Sequence, residues 1–401
     1  MNRRRSPFDT ARFAHSRKRR VAFVLNIAPH YRGALFTLLD HDTDIDFSFY
    51  AGEESSDVSS LLDMRTFLGF KGYLHNRFKK GKLVWQHGWW RALLHRYDAY
   101  ILTGNPGIRS NWLLMIMARM LGRRVYLWSH GLYGNESRRQ LRRNMLYMRI
   151  ADGLMLYGNH GRRMLLREGF KSECITLIYN SLDLERQRML RDRFAGAGFM
   201  RNIFGNDNPT IAFIGRLTPQ KQLHLLIEAV GILKLSGTDV NIIFVGDGPS
   251  ESDLAALAQK ADIEERVFFY GECYDEEMIA AILQNAVMTV SPGNVGLTAV
   301  QSLAYGVPVI THDNLCMQMP EHEAVRPDRT GDFFRHGDSL ALSEKIEKWI
   351  AIMSDPDRRM QVRQNCFEMI DRRFSPSGQL LRIKRRLLAD MFPPPADTAA
   401  E

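Results

Sequence analysis

Short apolar runs and helical patterns alternate along most of the chain. Continuous runs rich in β-branched and aromatic residues predict buried parallel strands, because such strands are covered on both faces. Between them, apolar residues at three- and four-residue spacing predict amphipathic helices. The predicted strands are residues 21–27, 47–51, 99–102, 125–128, 154–157, 175–178, 210–214, 241–245, 267–270, 286–290 and 307–311. This alternation predicts an α/β protein with doubly wound, largely parallel sheets.

The predicted elements fall into two groups, and 401 residues are enough for two domains of ordinary size. Polar and proline-rich stretches mark the boundaries of the groups. The expected segments are a basic N-terminal arm (1–20), a first Rossmann-like domain (21–183), a linker (184–208), a second Rossmann-like domain (209–375), a C-terminal helix (376–392) and a disordered tail (393–401).

Residues 286–312 contain the most informative local pattern. A short apolar strand ends at Ser291-Pro292-Gly293-Asn294, a turn whose proline is unable to continue a central strand. A helical pattern over 297–305 and another strand follow. Such a βαβ unit leaves backbone N–H groups and the positive end of a helix at the turn, where an anion can bind. On periodicity alone, an ordinary parallel-sheet crossover is the favoured interpretation.

The sequence SPGNVGLTAVQSLAYGVPVIT within this unit resembles the donor-binding motif of glycosyltransferase family 4 (glycosyl transferases group 1). That motif is Glu-Gly-Phe-Gly-Leu, three residues, then Glu-Ala-x-Ala-x-Gly-x-Pro-Val. Its first Glu falls on Gly293 and its second on Gln301, so both carboxylates are missing here. The resemblance implies the GT-B fold, in which two doubly wound Rossmann-like domains face each other across a cleft. It also implies retaining transfer of a sugar.

The resemblance implies that the two domains bind different substrates. The first domain would lie on the acceptor side, and the second would bind the nucleotide sugar. Residues 376–392 would form a helix that crosses back to the first domain. No cofactor is implied, because the nucleotide sugar is a substrate and is transferred to a saccharide, a glycolipid or a lipid-linked acceptor.

Arg216 and Lys221 are the strongest candidates for catalytic residues. They follow the first strand of the second domain and match the family pattern Gly-Arg-Leu-x-x-x-Lys-Gly, except that Gln222 replaces the last glycine. Fixed positive charge of this kind stabilises a nucleoside diphosphate as it leaves. Because two cations can do the work of a metal ion, we expect no metal. An Asp-x-Asp spacing at Asp42 and Asp44 is expected to be a solvated acidic turn.

The resemblance supplies the remaining candidates. His130 follows a first-domain strand and would contact the donor sugar across the cleft, as the third catalytic candidate. Gln301 would take the ribose contact. Because Gly293 has no side chain, either the donor differs in its hydroxyl pattern, or Asn294 or Glu321 contacts the sugar instead. Glu323 matches a glutamate in the following family loop. The donor-binding candidates are Gly215, Glu272, Cys273, Asn294, Val295, Gly296, Leu297 and Gln301.

The net charge of +9 is divided unequally along the chain. Residues 1–200 carry 34 Lys and Arg against 17 Asp and Glu (+17), whereas residues 201–401 carry 20 against 28 (−8). The first half therefore predicts an anionic partner, either a membrane surface or a phosphate-bearing substrate. Nucleic acid is not expected, because no helix-turn-helix, zinc-finger or RNA-recognition pattern is present.

The cysteines and the apolar runs indicate where the protein acts. Four widely separated cysteines suggest neither a disulfide framework nor a zinc site. No apolar run has the roughly 18 residues that a membrane-spanning helix needs. We therefore expect a cytoplasmic location, with peripheral binding to the inner face of the membrane.

Two alternatives to an active transferase remain open at the level of sequence. The missing carboxylates at Gly293 and Gln301 favour a degenerate GT-B protein that binds a nucleotide without transferring a sugar. The charge of the first half favours a basic module that binds membranes or nucleic acid. Nucleotide-sugar turnover separates the first alternative from an enzyme, and salt-dependent duplex binding would support nucleic acid.

Overall fold

The chain forms two α/β domains around two separate sheets. The computed structural model describes residues 18–54, 60–194, 196 and 198–391. The first sheet has the order β4-β3-β2-β1-β5-β6-β7-β8 and is parallel except for the β3–β4 pair. Its strands are β1 (Arg19–Leu25), β2 (Ile45–Gly52), β3 (Phe70–Lys79), β4 (Lys82–His87), β5 (Ala99–Thr103), β6 (Arg124–Ser129), β7 (Gly153–Leu156) and β8 (Ile175–Leu177).

The second sheet is wholly parallel, with the order β11-β10-β9-β12-β13-β14. Its strands are β9 (Thr210–Ile214), β10 (Asn241–Val245), β11 (Val267–Gly271), β12 (Met288–Ser291), β13 (Val309–His312) and β14 (Gly331–Phe334). This is the doubly wound order 3-2-1-4-5-6, in which the strand order reverses between β9 and β12. Ligands of such sheets bind outside the carboxyl ends of the strands at this reversal, which makes the loops after β9 and β12 the expected binding edge.

Helices cover both faces of each sheet, and each domain has apolar clusters between its sheet and its helices. The helices are α1 (Gly33–Asp40), α2 (Arg109–Met120), α3 (Arg138–Ile150), α4 (Asn159–Arg167), α5 (Leu184–Leu190), α6 (Phe199–Phe204), α7 (His224–Leu235), α8 (Glu251–Lys260), α9 (Glu276–Asn285), α10 (Leu297–Ala304), α11 (Ser339–Ser354), α12 (Pro356–Arg373) and α13 (Pro376–Met391). The predicted α/β fold class with two doubly wound sheets is confirmed.

The β3–β4 hairpin was not predicted from the sequence. It is antiparallel and stands at the edge of the first sheet, where most of its side chains are partly or fully exposed. Its turn is Lys80-Gly81, with positive φ values of 50° and 70°. Exposed edge strands tolerate polar and charged residues, so they lack the apolar run that identifies a buried parallel strand.

The segment predicted as a linker is packed onto the second domain. Leu190 is the last residue of α5 and Met200 lies in α6, and both are buried against α9 residues such as Ile279 and Ile282. The N-terminal boundary also differs from the prediction, because β1 already begins at Arg19. Residues 1–17 of the predicted arm and residues 392–401, which include the predicted tail, lie outside the described part of the chain.

The last helix, α13, packs against the first domain and not against the second sheet. Ile383 and Leu387 are fully buried in the first-domain core, and the Tyr126 hydroxyl donates to Asp390 at 2.6 Å. Lys384 forms ion pairs of 2.6 Å with both Asp42 and Asp44. The prediction of a solvated acidic turn is therefore wrong for Asp42, whose side chain is buried beneath α13.

Candidate functional site

The loops after β9 and β12 are in direct backbone contact at the reversal of the second sheet. The Gly293 N–H donates to the Lys221 carbonyl at 2.9 Å. A Cβ atom at position 293 would lie 2.2 Å from the Gln220 carbonyl oxygen, far inside van der Waals contact. A glutamate is therefore excluded at this position unless the 219–222 turn moves. The close approach of the two loops therefore goes together with the absence of a carboxylate at position 293.

Lys221 joins the same two loops through its side chain. Its Nζ donates to the Asn294 carbonyl at 2.9 Å and to Asn294 Oδ1 at 2.8 Å. An ammonium group has three donors, so one remains for a ligand. Burial lowers the pKa of Lys221, and the nearby carboxylate of Glu321 opposes that shift.

Gln222 shows why the family pattern has glycine after the lysine. Its φ is 49° and its ψ is 38°, which is the left-handed conformation that glycine adopts without strain. The residue ends the 3-10 turn Pro219–Lys221 and turns the chain towards α7. The backbone of the motif is thus kept although its glycine is absent.

Arg216 is exposed at the end of β9 and forms no ion pair or side-chain hydrogen bond within the residues described here. The preceding Gly215 has a φ of 144° and donates its N–H to the Val245 carbonyl at 2.9 Å. A Cβ at Gly246 would lie 2.0 Å from the Gly215 carbonyl oxygen. This close contact between the loops after β9 and β10 holds the backbone beneath Arg216, whose guanidinium is left free for an anion.

The turn before α10 offers fewer N–H groups than the sequence predicted. Among the described residues, Asn294, Gly296 and Leu297 have N–H groups without a hydrogen-bond partner, and they stand at the positive end of α10. The N–H of Val295, in contrast, donates to Gln318 Oε1 at 2.8 Å. The N–H of this donor-binding candidate is therefore already used within the protein, and a role for Val295 in donor binding stays a prediction.

Gln318 was missed because an isolated glutamine carries no sequence signal. It is buried, and its Nε2 donates to Thr311 Oγ1 at 2.8 Å and to the His312 carbonyl at 2.9 Å. Together with its bond to Val295, these contacts fix the turn before α10 against β13. Gln318 therefore positions the anion-binding edge without facing a ligand.

Gln301 lies one turn further along α10, where its side chain contacts a carboxylate that the sequence analysis did not single out. Its Nε2 donates to Glu276 Oε2 at 3.2 Å. The Tyr305 hydroxyl (2.8 Å) and Gln187 Nε2 (3.2 Å) both donate to Glu276 Oε1. Three neutral donors thus orient a half-buried carboxylate beside the residue at which the family motif has its second glutamate.

The remaining candidates, Glu272 and Cys273, lie in the loop after β11 at the mouth of the cleft. Glu272 is exposed and accepts from the Tyr274 hydroxyl at 2.5 Å. Burial raises the pKa of the Cys273 thiol, so the group stays protonated at neutral pH. The ring of Tyr274 also packs edge-on against His30 of the first domain, with centroids 5.8 Å apart. The two domains therefore meet beside this loop.

A cavity of about 540 Å³ lies in the first domain at the carboxyl ends of β1, β5 and β6. His130 lines it, as do Arg32, Trp128, Tyr133 and Tyr157. The Arg32 guanidinium lies 4.8 Å from the centre of the Trp128 ring and donates to the Tyr157 hydroxyl at 2.5 Å. The cavity thus combines a cation with aromatic surface, which suits a sugar or a sugar phosphate.

His130 is held in its neutral form in this cavity. Burial of its ring and the neighbouring Arg32 lower its pKa to about 4. Its Nδ1 is 2.5 Å from the Tyr133 hydroxyl, and its ring packs against Tyr157. Nε2 has no partner in the described part of the chain. It is left to contact a ligand as a neutral group.

Several polar atoms of the cavity walls are buried and unpaired. They are Arg32 Nε, Trp128 Nε1 and Asn144 Oδ1. A buried polar atom without a partner costs about 1–3 kcal/mol, so such atoms are normally paired in the functional state. Two donors and an acceptor in the cavity walls are therefore left unsatisfied within the described part of the chain.

Two buried carboxylates stand between the domains. Glu321 accepts from Asn180 Nδ2 at 2.9 Å, and burial raises its pKa. Glu323 accepts from the His160 N–H at 2.5 Å, at the N-terminus of α4 in the first domain. The second domain thus provides a negative charge that caps a helix of the first. The charge of Glu321 opposes the lowering of the Lys221 pKa, and the charge of Arg32 opposes the rise that burial causes in the pKa of Glu321.

The arrangement brings the sequence-predicted residues together in two groups. Arg216, Lys221 and the α10 turn form the edge of the second domain, and His130 lies in the cavity of the first. Within the described ranges, no three His, Cys, Asp or Glu side chains are placed to hold a metal ion. Nor does any described helix combine the length and apolar character needed to cross a bilayer.

Comparison with known families identifies the second domain. The sequence model of the family Glycosyl transferases group 1 matches residues 199–369. Among curated relatives, the putative glycosyltransferase EpsD of Bacillus subtilis is 27% identical over 145 residues, which is 36% of this chain and 37% of EpsD. The predicted resemblance to glycosyl transferases group 1 is confirmed for this domain, and membership of family 4 in particular stays a prediction. The chain's matches span less than half the length of such relatives.

Solved structures extend the likeness to both domains. HepE of Anabaena, in complex with UDP, superposes with a TM-score of 0.68 at 18% identity, covering 92% of this chain and 100% of HepE. The lipopolysaccharide outer core galactosyltransferase WaaB superposes with a TM-score of 0.67 at 13% identity, covering 92% and 99%. At such identities the likeness establishes the fold. The predicted GT-B architecture is confirmed.

Proposed function

We propose that this protein is a retaining glycosyltransferase that moves a sugar from a nucleoside diphosphate donor to a saccharide, glycolipid or lipid-linked acceptor. The observation that carries the proposal is the clamp formed by Arg216, Lys221 and the α10 turn. Lys221 bonds to Asn294 in the turn before α10, and Thr298 in the first turn of α10 donates to the Ile214 carbonyl at 3.0 Å, two residues before Arg216. Both cations thus lie on the loop after β9, at the reversal of a doubly wound sheet and beside the positive end of a helix. The match of this domain to glycosyl transferases group 1 supports the same chemistry.

The clamp acts on the leaving group. As the bond between the sugar's anomeric carbon and the diphosphate oxygen breaks, negative charge grows on the diphosphate. Arg216, the third N–H of Lys221 and the free N–H groups at Gly296 and Leu297 stabilise that charge. The acceptor oxygen bonds to the same carbon, and its proton leaves with the diphosphate. These groups act in place of a metal ion, so we expect turnover without one.

The donor's ribose is proposed to contact Glu276 and Gln301 together. A nucleotide whose diphosphate lies at the start of α10 extends along the helix towards Gln301. A carboxylate accepts hydrogen bonds from both hydroxyls of a vicinal diol, and an acidic residue has this role in other doubly wound sheets. Glu276, held 3.2 Å from Gln301, provides the charge that position 301 lacks.

The first-domain cavity is proposed to hold the acceptor and the donor sugar. The Arg32 guanidinium and the aromatic rings of Trp128 and Tyr157 that line it suit the polar and apolar surfaces of a sugar. His130 presents a neutral Nε2 there, which can contact a hydroxyl without placing a positive charge beside the oxocarbenium-like carbon. No carboxylate is available from position 293, and we propose Glu321 as its replacement because its charge interacts with those of Lys221 and Arg32.

A thermal-shift screen of UDP-, GDP- and ADP-sugars tests the proposal. A ligand that binds only the native state raises the melting temperature, by a free energy of about 2.7 kcal/mol at 100 times its Kd. We expect one nucleotide to stabilise the protein and its sugar conjugate to be consumed when an acceptor is present. Stabilisation without any consumption would support the degenerate alternative. No stabilisation by any of the three would contradict the proposal.

A further inference from the structure

The outer face of α2 is apolar although it is directed to solvent. The inner face of the helix packs Leu114, Met115 and Ala118 into the first-domain core. The outer face carries a stripe of five residues that are each between 41% and 81% exposed: Leu113, Ile116, Met117, Met120 and Leu121. Their spacing of three and four residues makes the stripe continuous along the helix. A helix that is apolar on both sides is typical of one that is covered on both sides.

Neighbouring elements enlarge this apolar stripe. The 3-10 helix Trp89–Leu93 packs against α2 and exposes Trp90, and Leu94 directly after it is exposed as well. On the next helix, α3, Leu146 is exposed. Monomeric soluble proteins rarely expose contiguous apolar surface of this extent unless it binds something. We call these residues, together with the α2 stripe, the α2 face.

Arginines border the α2 face, and acidic residues are almost absent from this part of the chain. Residues 99–150 contain nine arginines and one acidic residue, Glu136. Arg109 on α2 and Arg138 and Arg142 on α3 are exposed and form no ion pair within the described ranges. The surface thus combines an apolar centre with a cationic border.

We propose that the α2 face docks on a lipid membrane with anionic headgroups. Arginines at the border pair with headgroup phosphates while the stripe enters the boundary of the acyl chains, and Trp90 has the amphipathic ring that prefers this boundary. A second copy of the chain fits less well, because a two-fold interface would place the arginines of both copies against each other. Nucleic acid would pair with the arginines but would leave the apolar stripe in water.

The α2 face also borders the first-domain cavity. Arg143, Asn144 and Met148 of α3 line that cavity, and the ring of Tyr147 on the same helix packs against Trp112 of α2, with centroids 4.8 Å apart. Helix α3, about 10 Å across, therefore lies between the cavity and α2. A lipid-linked acceptor would then reach the cavity while its lipid stays in the bilayer. This consequence rests on the proposed function, whereas the docking itself does not.

Co-sedimentation of the full chain with vesicles tests the docking. Vesicles of phosphatidylcholine with phosphatidylglycerol are compared with vesicles of phosphatidylcholine alone. One variant carries Met117→Ser, Met120→Ser and Leu121→Ser, and a second carries Arg138→Gln and Arg142→Gln. The matched control removes three exposed apolar side chains of the second domain, by Leu235→Ser, Leu340→Ser and Met360→Ser. All substituted side chains are exposed, and unchanged melting temperatures establish that each variant is folded.

We expect binding to the anionic vesicles that falls at high salt, because exposed charges are screened beyond a Debye length. The two arginine substitutions should weaken it by about fivefold each at low salt. The serine variant should lose at least tenfold at every salt concentration, since it removes apolar burial, and the second-domain control should bind like the parent.

Four outcomes would overturn the proposal. The first is that the serine variant binds as tightly as the parent, and the second is that the second-domain control loses as much. The third is that removal of residues 1–17 alone abolishes binding. The fourth is a concentration-dependent dimer, observed without lipid and lost in the serine variant, together with no binding to vesicles. The same measurements on a variant without transferase activity separate docking from the proposed function, because Arg216→Ala should dock like the parent.

Discussion

The two domains have related sheets but form their parts of the site in different ways. In the second domain the key groups come from two adjacent loops, and Lys221 bonds directly to Asn294 across them. In the first domain the cavity is lined by residues from Leu25 to Tyr157, which come from five separate segments of the chain. The site residues of the second domain are thus close together in the sequence, whereas those of the first domain are spread along it. Under the proposed function, the motif stabilises the leaving group and the cavity selects the acceptor.

The largest effect is expected from a substitution in the binding loops of the second domain. Arg216→Ala should reduce kcat by roughly 100- to 1,000-fold, or about 2.7–4 kcal/mol of transition-state stabilisation, because one fixed charge on the leaving diphosphate is lost. Steady-state turnover of the nucleotide sugar identified by thermal shift measures the effect. Arg216 is exposed and unpaired, so the melting temperature should not change.

Lys260→Ala, an exposed lysine at the end of α8, is the control for a loss of charge elsewhere in the domain and should retain full activity. If Arg216→Ala turns over at the parent rate, the clamp has been assigned to the wrong residue. Restoration of the lost activity by a divalent ion would instead show that a metal can act at this site.

A pH experiment compares the domains through one histidine in each. Burial lowers the pKa of His130, with a contribution from Arg32, and that of His312, with a contribution from His336, to about 4. The unfolded chain, with a pKa near 6.5, therefore binds the proton more readily. Stability is fully present above pH 6.5 and falls as the pH decreases towards 4. Each histidine should account for about 2 kcal/mol of the loss between pH 7 and pH 5.

Urea unfolding at pH 7 and pH 5 measures these contributions. His130→Gln and His312→Gln should each make the loss of stability smaller, whatever their effect at pH 7. His95→Gln, at an exposed position of the first domain, is the control and should leave the pH dependence unchanged. A pH dependence identical in all four proteins would mean that neither ring is held neutral by the fold.

An intermediate effect is expected from the carboxylate beside the motif. Glu276→Gln should weaken binding of the nucleoside diphosphate identified by thermal shift by about 1.5 kcal/mol, the scale of a hydrogen bond to a charged group, and Gln301→Ala should weaken it by about 1 kcal/mol. Gln301→Glu should not improve binding, because it would place a second carboxylate next to Glu276 Oε2. The double variant Glu276→Gln, Gln301→Glu should recover affinity.

Calorimetric titration with that nucleoside diphosphate and with its 2′-deoxy analogue provides the measurement and its internal control. The difference between the two nucleotides should shrink in Glu276→Gln if the carboxylate contacts the ribose. Equal losses for both nucleotides would assign Glu276 a purely structural role in orienting α9 and α10.

The smallest effect tests how the domains are joined. Glu323→Gln keeps a hydrogen-bond acceptor for the His160 N–H but removes the charge at the N-terminus of α4, which should cost about 0.5–1 kcal/mol. Thermal melting at low and high salt measures it, since part of the difference should disappear at high salt. Glu168→Gln, at the other end of α4, is the control and should not destabilise the protein.

The sequence predicted the second domain more completely than the first. Its strands are buried apolar runs, and its binding loops contain contiguous motifs, so both were visible without long-range information. The roles of Gln318 and Glu276 depend on contacts with Val295 and Gln301 that no local pattern encodes. In the first domain only His130 was identified, because Arg32, Trp128 and Tyr157 meet only after the strands are paired.

The structure also changes the interpretation of two positions that the sequence analysis discussed, Asp42 and Gly293. Asp42 was expected in water, but Lys384, more than 300 residues later in the chain, is paired with it. The absence of a carboxylate at Gly293 suggested a loss of function, whereas the structure relates it to the close approach of the Gln220 carbonyl. Both depend on the position of a distant backbone, which composition and periodicity do not specify.

The return of α13 to the first domain also determines the order in which the protein can mature. Ile383 follows Val21 by 362 residues, yet both belong to the same core cluster. At 5–20 residues per second, the ribosome needs roughly 20–70 s to synthesise the chain between them. During that interval the first domain has a vacant apolar slot beside β1 and α1, which is a binding surface for chaperones. A nascent chain that terminates before α13 would keep this slot open, so proteolytic quality control can distinguish it from the finished protein.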